Sequence, residues 1–333
     1  MKTALVTGSS GFIGYFTSLA LLGAGWRVVG LDCLSDYYDV ALKERRQSML
    51  STHANFSVIN DRLETPGTVM ALFKKYRPDT VIHLAAQAGV RHSIDAPRSY
   101  LQSNLVGTFE LLEAARAYPP AHMLLASSSS VYGANTDMPF AETDKVETQM
   151  SFYGATKKAT ETMAHSYAHL YGLPITMFRF FTVYGPWGRP DMAHFKFTRA
   201  ILNGDPIDIY NHGDMLRDFT YIDDLVASLV ALIDVVPETG APVAHDSLSA
   251  VAPFRVLNIG NGTPIKLMEY ITAIEAACGR TATKNYHDMQ PGDVPATWAD
   301  ATLLQTLTVK RPATPIATGL QNFVDWYRDY YKT

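Results

Sequence analysis

Residues 4–14 read ALVTGSSGFIG, a short strand-like run from Ala4 to Thr7 that breaks into three glycines, Gly8, Gly11 and Gly14. The residues after Gly11 carry a helical pattern over roughly 12–24. A strand that turns straight into a helix leaves the first N–H groups of that helix without partners. Glycine permits the tight turn and lets the backbone approach an anion, so the segment suits a pyrophosphate. The spacing is GxxGxxG, a variant of the GxGxxG dinucleotide pattern. Taken alone, the segment also reads as a plain strand–turn–helix.

The next strand narrows the choice. Arg27–Asp32 ends on an acid eighteen residues after Gly14, where a carboxylate hydrogen-bonds the hydroxyls of an adenosine ribose. It also repels a 2′-phosphate, so NAD is expected rather than NADP. Asp61 closes the third strand and reads either as a contact to the adenine amino group or as a surface turn residue.

Further along, strands are expected at Phe56–Asn60, Thr80–Ala85, His122–Ala126 and Ile175–Phe180, with helices near 66–76, 98–118 and 150–171. Strands alternating with helices mean βαβ units and a parallel sheet covered on both faces. The expected fold is therefore α/β, a Rossmann-type doubly wound parallel sheet over residues 1–180. After Phe181 proline and glycine become frequent, as in Gly185-Pro-Trp-Gly-Arg-Pro190. Residues 181–333 are read as a smaller substrate-binding α/β lobe that returns elements to the first domain across a cleft.

Bulk composition excludes several classes. With 333 residues and a formal net charge of -4, the chain has no basic footprint for nucleic acid or an anionic membrane. No apolar run approaches the roughly 18 residues of a membrane span. Cys33 and Cys278 form no spacing motif, which fits a reducing compartment and argues against a thiolate metal site. The N-terminus does not read as a signal peptide, so a cytoplasmic protein is expected. His165 and His169 stand at i and i+4, but no glutamate follows His165 and no third ligand stands out, so no metal is expected.

Chemistry concentrates in two stretches. Tyr153-Gly-Ala-Thr-Lys157 places a phenol and an ammonium on one face of one helix. A free tyrosine titrates near about 10. A neighbouring ammonium and a positive nicotinamide favour the phenolate, which could then take a proton from a carbinol. Ahead of it lies ASSSSVYG, residues 126–133, a row of small hydroxyls at a strand end.

The glycine loop, Asp32, the stretch Ser127–Gly133 and the YxxxK pair together resemble the extended short-chain dehydrogenase/reductase family. Arg179 to Ala193, Tyr37-Tyr38-Asp39, His83 to Arg91 and Arg217 to Asp224 look specifically like the UDP-glucuronate 4-epimerases of that family. The likeness runs from Met1 to about Asp300. It implies NAD held across turnovers, UDP-glucuronate and UDP-galacturonate as substrate and product, and a homodimer built on the helices near 98–118 and 150–171. It makes Tyr153 the base, Lys157 the residue that holds the ribose, and Ser128 the hydroxyl on the reacting C4 oxygen. Phe12, Ile13, Leu63, Leu84, Ala85, Ala86, Gln87 and Asn104 would join the glycines and acids around the cofactor.

Related dehydratases and decarboxylases carry an acid where Ser130 stands, and the dehydratases a second one at Ser129. Oxidation at C4 turns glucuronate into a β-keto acid that can lose CO₂. A carboxylate held by hydroxyls is kept solvated and misaligned for that loss, whereas a buried glutamate would repel it. Ser128, Ser129 and Ser130 are therefore read as a cradle for the uronate, with Ser127 read as satisfying strand-end backbone groups. Serines at 129 and 130 that only satisfy backbone remain the competing reading.

At the nucleotide end, the resemblance gives Arg217 to the pyrophosphate and Asp293 to the uridine ribose. Arg189 and Lys196 are further phosphate candidates, or solvated surface cations. Gln290 replaces a second phosphate arginine found in many relatives that act on neutral sugars. Thr182 stands where neutral-sugar 4-epimerases commonly carry asparagine. Arg91 either counters the uronate charge or anchors the loop after the fourth strand. The rival readings are a 4-epimerase of neutral UDP-hexoses such as UDP-glucose or UDP-N-acetylglucosamine, a UDP-glucuronate decarboxylase, and a non-catalytic NAD-binding protein.

Overall fold

The computed structural model describes residues 1–290, 293–309 and 312–333. Its main sheet takes six strands from the first half of the chain: β1 (Thr3–Thr7), β2 (Arg27–Asp32), β3 (Phe56–Asn60), β4 (Thr80–His83), β5 (His122–Ala126) and β6 (Ile175–Phe180). Past β6 come β7 (Thr182–Tyr184), β8 (Ile207–Ile209), β9 (Leu216–Tyr221) and β10 (Phe254–Ile259). The last of these returns to the main sheet, whose order is β10-β6-β5-β4-β1-β2-β3. Every pair in it is parallel. β4, β6 and β10 are buried along their whole length, as helices on both faces require.

The strand order reverses at β1, which has β2 on one side and β4 on the other. The crevice beyond the carboxyl ends of those strands is where doubly wound sheets bind ligands. A smaller sheet pairs β9 with β7, with β11 (Pro264–Lys266) and with β13 (Ala296–Thr297), while β12 (Lys284–Tyr286) pairs β8. One hydrophobic cluster runs from Val6 and Leu124 of the main sheet through Tyr184, Phe195 and Tyr270 to Phe323 of the C-terminal helix. The second half is thus welded to the sheet by a shared core.

Two expected elements end differently. The strand expected over Thr80–Ala85 stops at His83; beyond it the Leu84 amide donates to the Thr7 carbonyl at 3.1 Å and the amides of Leu84 and Ala85 each reach the Thr7 hydroxyl at 3.2 Å. The helix expected over 98–118 is interrupted. It runs as Pro97–Tyr100, a π-helical stretch Leu101–Val106, and Gly107–Ala117. Asn104 lies in the π segment, and its carboxamide oxygen accepts from the Gln87 amide at 2.8 Å while its Nδ2 donates to the Gln87 carbonyl at 3.1 Å. π-bulges of this kind gather at functional sites. A helix over Val40–Leu50 has no counterpart in the sequence reading.

A buried polar network fixes β5, β6 and the helix Phe152–Tyr171 to one another. Arg179 of β6 donates through Nε and Nη2 to the two Glu161 oxygens at 3.0 Å each, with both side chains 3 % exposed. Glu161 also accepts the Ser127 hydroxyl at 2.6 Å. On its far side Arg179 lies over the Tyr132 ring at 4.8 Å, and the Tyr132 hydroxyl donates to Asn258 of β10 at 2.7 Å. A buried ion pair adds little net stability over apolar packing, but removing one partner strands the other charge. Arg179→Met should therefore cost about 3–5 kcal/mol in urea unfolding, and the double variant Arg179→Met/Glu161→Leu should recover most of that loss.

Glu142 accepts from the Asn258 amide at 2.9 Å, and burial pushes its carboxyl up to about 7. Its folded form binds the proton more tightly than the unfolded chain, so its contribution to stability falls as pH rises from about 4.5 to about 7. Glu142→Gln should flatten that slope: its unfolding midpoint should exceed wild type at pH 8 and match it at pH 4.

Candidate active site

The glycine loop folds as its composition demands. Gly8 has φ +71, and a Cβ there would sit 2.8 Å from the Ala85 nitrogen. A Cβ on Gly14 would sit 2.0 Å from the Gly8 carbonyl oxygen. Neither position tolerates a side chain, so the helix Phe12–Gly23 starts with its N-terminus open to the cleft. Asp32 holds the loop from outside. One oxygen accepts from the Ser10 amide at 2.9 Å, the other from Leu34 at 2.8 Å.

Beneath the loop, His83 joins β4 to its neighbours. Its Nδ1 lies 2.7 Å from the Thr7 hydroxyl and its Nε2 3.2 Å from that of Thr108. Thr7 Oγ1 already accepts two amides, so its proton goes to Nδ1 and the ring carries hydrogen on Nε2. Burial, with the nearby Lys157 ammonium, draws the imidazole down to about 3.

A cleft of about 770 Å³ opens above these strand ends. Its lining contains Gly8, Gly11, Phe12, Ile13, Gly14 and Asp32. Asp61, Leu63, Leu84, Ala85, Ala86 and Gln87 continue it, and Ser127, Ser128, Tyr153, Lys157 and Arg189 close its inner end. Asp61 reaches the cleft with its carboxylate engaged, taking the Thr68 hydroxyl at 2.6 Å, the Arg62 amide at 2.7 Å and the Thr65 hydroxyl at 3.1 Å. The Thr68 bond leads in holding its pKa below the ordinary value.

Tyr153 and Lys157 sit in the first turns of the helix Phe152–Tyr171, whose amide end is capped by Ser151 Oγ on Gly154 at 3.0 Å. Lys157 is buried and donates to the Ala126 carbonyl, at the end of β5, at 2.8 Å. Burial draws its ammonium down to about 8, against the pull of Glu161. Desolvation also pushes the Tyr153 phenol up, opposed by a hydrogen bond with Ser128 and by the Arg189 charge. The depression expected from Lys157 is not found: the phenol is raised, and the Lys157 ammonium is turned to the Ala126 carbonyl.

The serines divide. Ser127 faces Glu161, as described above. Ser128 caps the 3₁₀ turn Ser129–Tyr132 by accepting the Ser130 amide at 3.2 Å, and its hydroxyl donates to Ser130 Oγ at 3.2 Å. Ser129 and Ser130 are half-buried and stand behind Ser128, outside the residues that line the cleft.

The nucleotide-end candidates form a second group. Arg91 pairs with Asp293 at 2.7 Å and lies over the Tyr210 ring at 5.1 Å. Arg217 is held by backbone, donating to Leu216, Pro295 and Val294 carbonyls at 2.9, 3.1 and 2.7 Å. Pro291 and Gly292 of the stretch before Asp293 lie outside the described residues. Arg189 chelates Asp191 at 3.0 and 2.5 Å. Burial pulls its guanidinium down, and the Asp191 carboxylate more than reverses this. Lys196 is exposed on the helix Ala193–Asn203, Thr182 opens β7, and both lie outside the residues that line the cleft. His165 and His169 bond Ser249 and the Val251 carbonyl, each at 2.8 Å.

Sequence reading missed several lining residues. Lys43 and Tyr37 face the cleft near Asp32, and Lys43 donates to the Ser35 hydroxyl at 2.8 Å. Arg98, Gln102 and Ser103 line it from the interrupted helix. The Tyr-Tyr-Asp stretch marked the neighbourhood, but nothing in residue spacing singled out Lys43.

The cleft thus joins a glycine-loop cradle to a cluster of Tyr153, Lys157 and Ser128. The NAD dependent epimerase/dehydratase family matches residues 4–244.

The chain belongs to this family.

A Rhizobium meliloti protein named "Probable UDP-glucuronate 4-epimerase" is 51 % identical, covering 98 % of this chain and 97 % of its own. UDP-glucuronate 4-epimerase 4 of Arabidopsis thaliana is 45 % identical over 99 % of this chain and 76 % of its own. The crystal structure of UDP-glucuronic acid 4-epimerase from Bacillus cereus, in complex with UDP-glucuronic acid and NAD, superposes with a TM-score of 0.88. It is 32 % identical and covers 99 % of this chain and 100 % of its own. Among the described residues no helix is long and apolar enough to cross a membrane.

The buried neutral His83 supplies a test of the scaffold under the loop. Its folded pKa lies below the unfolded value of 6.5, so its contribution is full above that pH and is lost as pH falls toward about 3. His83→Gln should show a flatter acid limb than wild type across that window in chemical denaturation.

Proposed function

We infer that this protein is an NAD-dependent UDP-glucuronate 4-epimerase, interconverting UDP-glucuronate and UDP-galacturonate without decarboxylation. The observation that carries this reading is the convergence of Tyr153, Lys157 and Ser128 on the end of a cleft whose other end is a side-chain-free glycine cradle. NAD fits that cradle: the helix N-terminus faces it, and Asp32 stands at the ribose position, where its carboxylate would repel a 2′-phosphate. When bound, NAD supplies the acceptor and donor of the C4 hydrogen.

The chain's own residues do the rest. Tyr153 takes the C4 hydroxyl proton and later returns one, a general-base task worth about 10²–10⁴ in rate. Burial raises its phenol, against the Ser128 hydrogen bond and the Arg189 charge, and positive charge beside it favours the phenolate. Lys157, tethered to the Ala126 carbonyl, is placed to hold a ribose and to stabilise that phenolate. Ser128 offers a hydroxyl to the C4 oxygen, with Ser130 hydrogen-bonded directly behind it. Of the three serines read as a cradle for the uronate, Ser128 alone lines the cleft, and the uncharged Ser130 hydroxyl bonded behind it puts no carboxylate there to repel the substrate and favour loss of CO₂. Arg189 closes the inner end, and Arg217 with the Arg91–Asp293 pair is assigned to the nucleotide.

The helices expected to pair copies of the chain carry exposed apolar side chains, Leu101, Phe109, Phe152 and Leu170 among them. A homodimer through that face accounts for them. The cytoplasm is the assigned compartment, in keeping with the unpaired Cys33 and Cys278.

Incubation with UDP-glucuronate, followed by NMR of the C4 configuration and of CO₂, tests the reading. UDP-galacturonate without a pentose product is expected. Turnover of UDP-glucose with none of the uronate would transfer the case to the neutral-sugar epimerases. Tyr153→Phe should lower kcat by at least about 10² with little change in sugar affinity. Ser130→Glu should raise the fraction of turnovers that end in CO₂, and an unchanged product ratio would remove the support for the serine niche.

A further inference from the structure

The helix Val40–Leu50 buries Leu42, Lys43, Arg46 and Leu50. Arg46 is fully buried, and among the described residues no carboxylate pairs with it. Its guanidinium instead spans two parts of the chain. Nη1 donates at 3.1 Å to the carbonyl of Ser10, inside the glycine loop, and at 3.1 Å to the Tyr38 hydroxyl. Nη2 donates at 2.6 Å to the Trp187 carbonyl and at 3.3 Å to that of Gly188. A desolvated cation without a counter-ion is costly and persists only where fixed dipoles surround it.

The Trp187–Gly188 peptide directly precedes Arg189, which lines the cleft. The same segment is fastened a second time. Asp191, chelated by Arg189, accepts the Tyr37 hydroxyl at 3.2 Å, and Tyr37 belongs to the loop after β2. The Trp187 ring packs on Trp326 and Tyr330 of the C-terminal helix, each at 5.2 Å between centroids. Residues 185–192 therefore form a strap from the second half of the chain, held against the glycine loop by one guanidinium.

We propose that Arg46 is a positioning residue that staples this strap to the glycine loop, retaining NAD in the cleft between turnovers and setting Arg189 for the sugar nucleotide. The proposal rests on the NAD-dependent reading above. It requires no contact between Arg46 and either ligand. Ser10 is gripped from three directions, its amide by Asp32, its carbonyl by Arg46 and its hydroxyl by Gln47 at 2.9 Å, so the loop cannot loosen while the strap is docked. An epimerase regenerates its cofactor in every cycle and gains from keeping it, and a bond that ties the cofactor loop to the substrate lobe provides that retention.

The test is release of bound NAD from the loaded protein after rapid dilution, alongside steady-state kinetics. Arg46→Met should release NAD at least tenfold faster and raise the KM for UDP-glucuronate about tenfold, with kcat within threefold of wild type. Arg46→Lys keeps the charge but cannot span both sets of carbonyls, and should fall between. Wild-type release and KM in a folded Arg46→Met protein, with only the melting midpoint lowered, would mean a purely structural role and overturn the proposal. Should Arg46→Met fail to fold, Arg46→Lys carries the test alone. NAD release at least threefold faster at an unchanged melting midpoint then supports the staple, and unchanged release overturns it. Wild-type protein that binds no NAD defeats the underlying reading and this proposal together, a result distinct from wild type that retains NAD while every variant does too.

Discussion

The Glu161 carboxylate, buried and shared between Arg179 and Ser127, is the constraint from which the active-site geometry follows. It fixes the helix of Tyr153 and Lys157 in azimuth against two adjacent strands, and it does so directly beneath the residues that meet the substrate. Lys157 lies one turn before Glu161, so the orientation that satisfies the ion pair also aims the lysine at the Ala126 carbonyl. Ser128 follows Ser127, whose hydroxyl Glu161 holds, so the same carboxylate sets the facing strand end. An apolar replacement of the pair would match it in stability but could not set that rotation.

Electrostatics along the cleft have a consistent logic. Burial withholds charge from His83 and works against it in Tyr153 and Lys157. The scaffold histidine stays a neutral bridge between two threonines, whereas the Lys157 ammonium is drawn down to about 8 and the Tyr153 phenol is pushed up. Arg189, at the inner end of the cleft, is chelated by Asp191, and Arg46 donates to three backbone carbonyls.

Much of this was legible in residue order. The glycine loop, the acid at the end of β2 and the YxxxK pair carry their meaning locally, because a backbone that needs room for a pyrophosphate tolerates only glycine, and an i, i+4 pair must share a helix face. The parallel sheet was legible because short, largely apolar runs alternate with helical patterns, as βαβ units do. The helix Val40–Leu50 was not, since its inward face carries Lys43 and Arg46 and breaks the apolar periodicity by which helices are recognised. The interruption at Leu101–Val106 was equally silent: it depends on Asn104 meeting Gln87, seventeen residues earlier in the chain.

The sequence by itself determined the family, the α/β class and the glycine loop, and it marked Tyr153, Lys157 and Ser128 as candidates, because each rests on residues adjacent in the chain or one helical turn apart. Only the tertiary structure decided which serines face the cleft, that Arg91 pairs with Asp293, and that one buried guanidinium joins the glycine loop to the Trp187–Gly188 peptide. Those outcomes depend on which groups lose their water together, and that is settled by how distant segments pack rather than by their order along the chain.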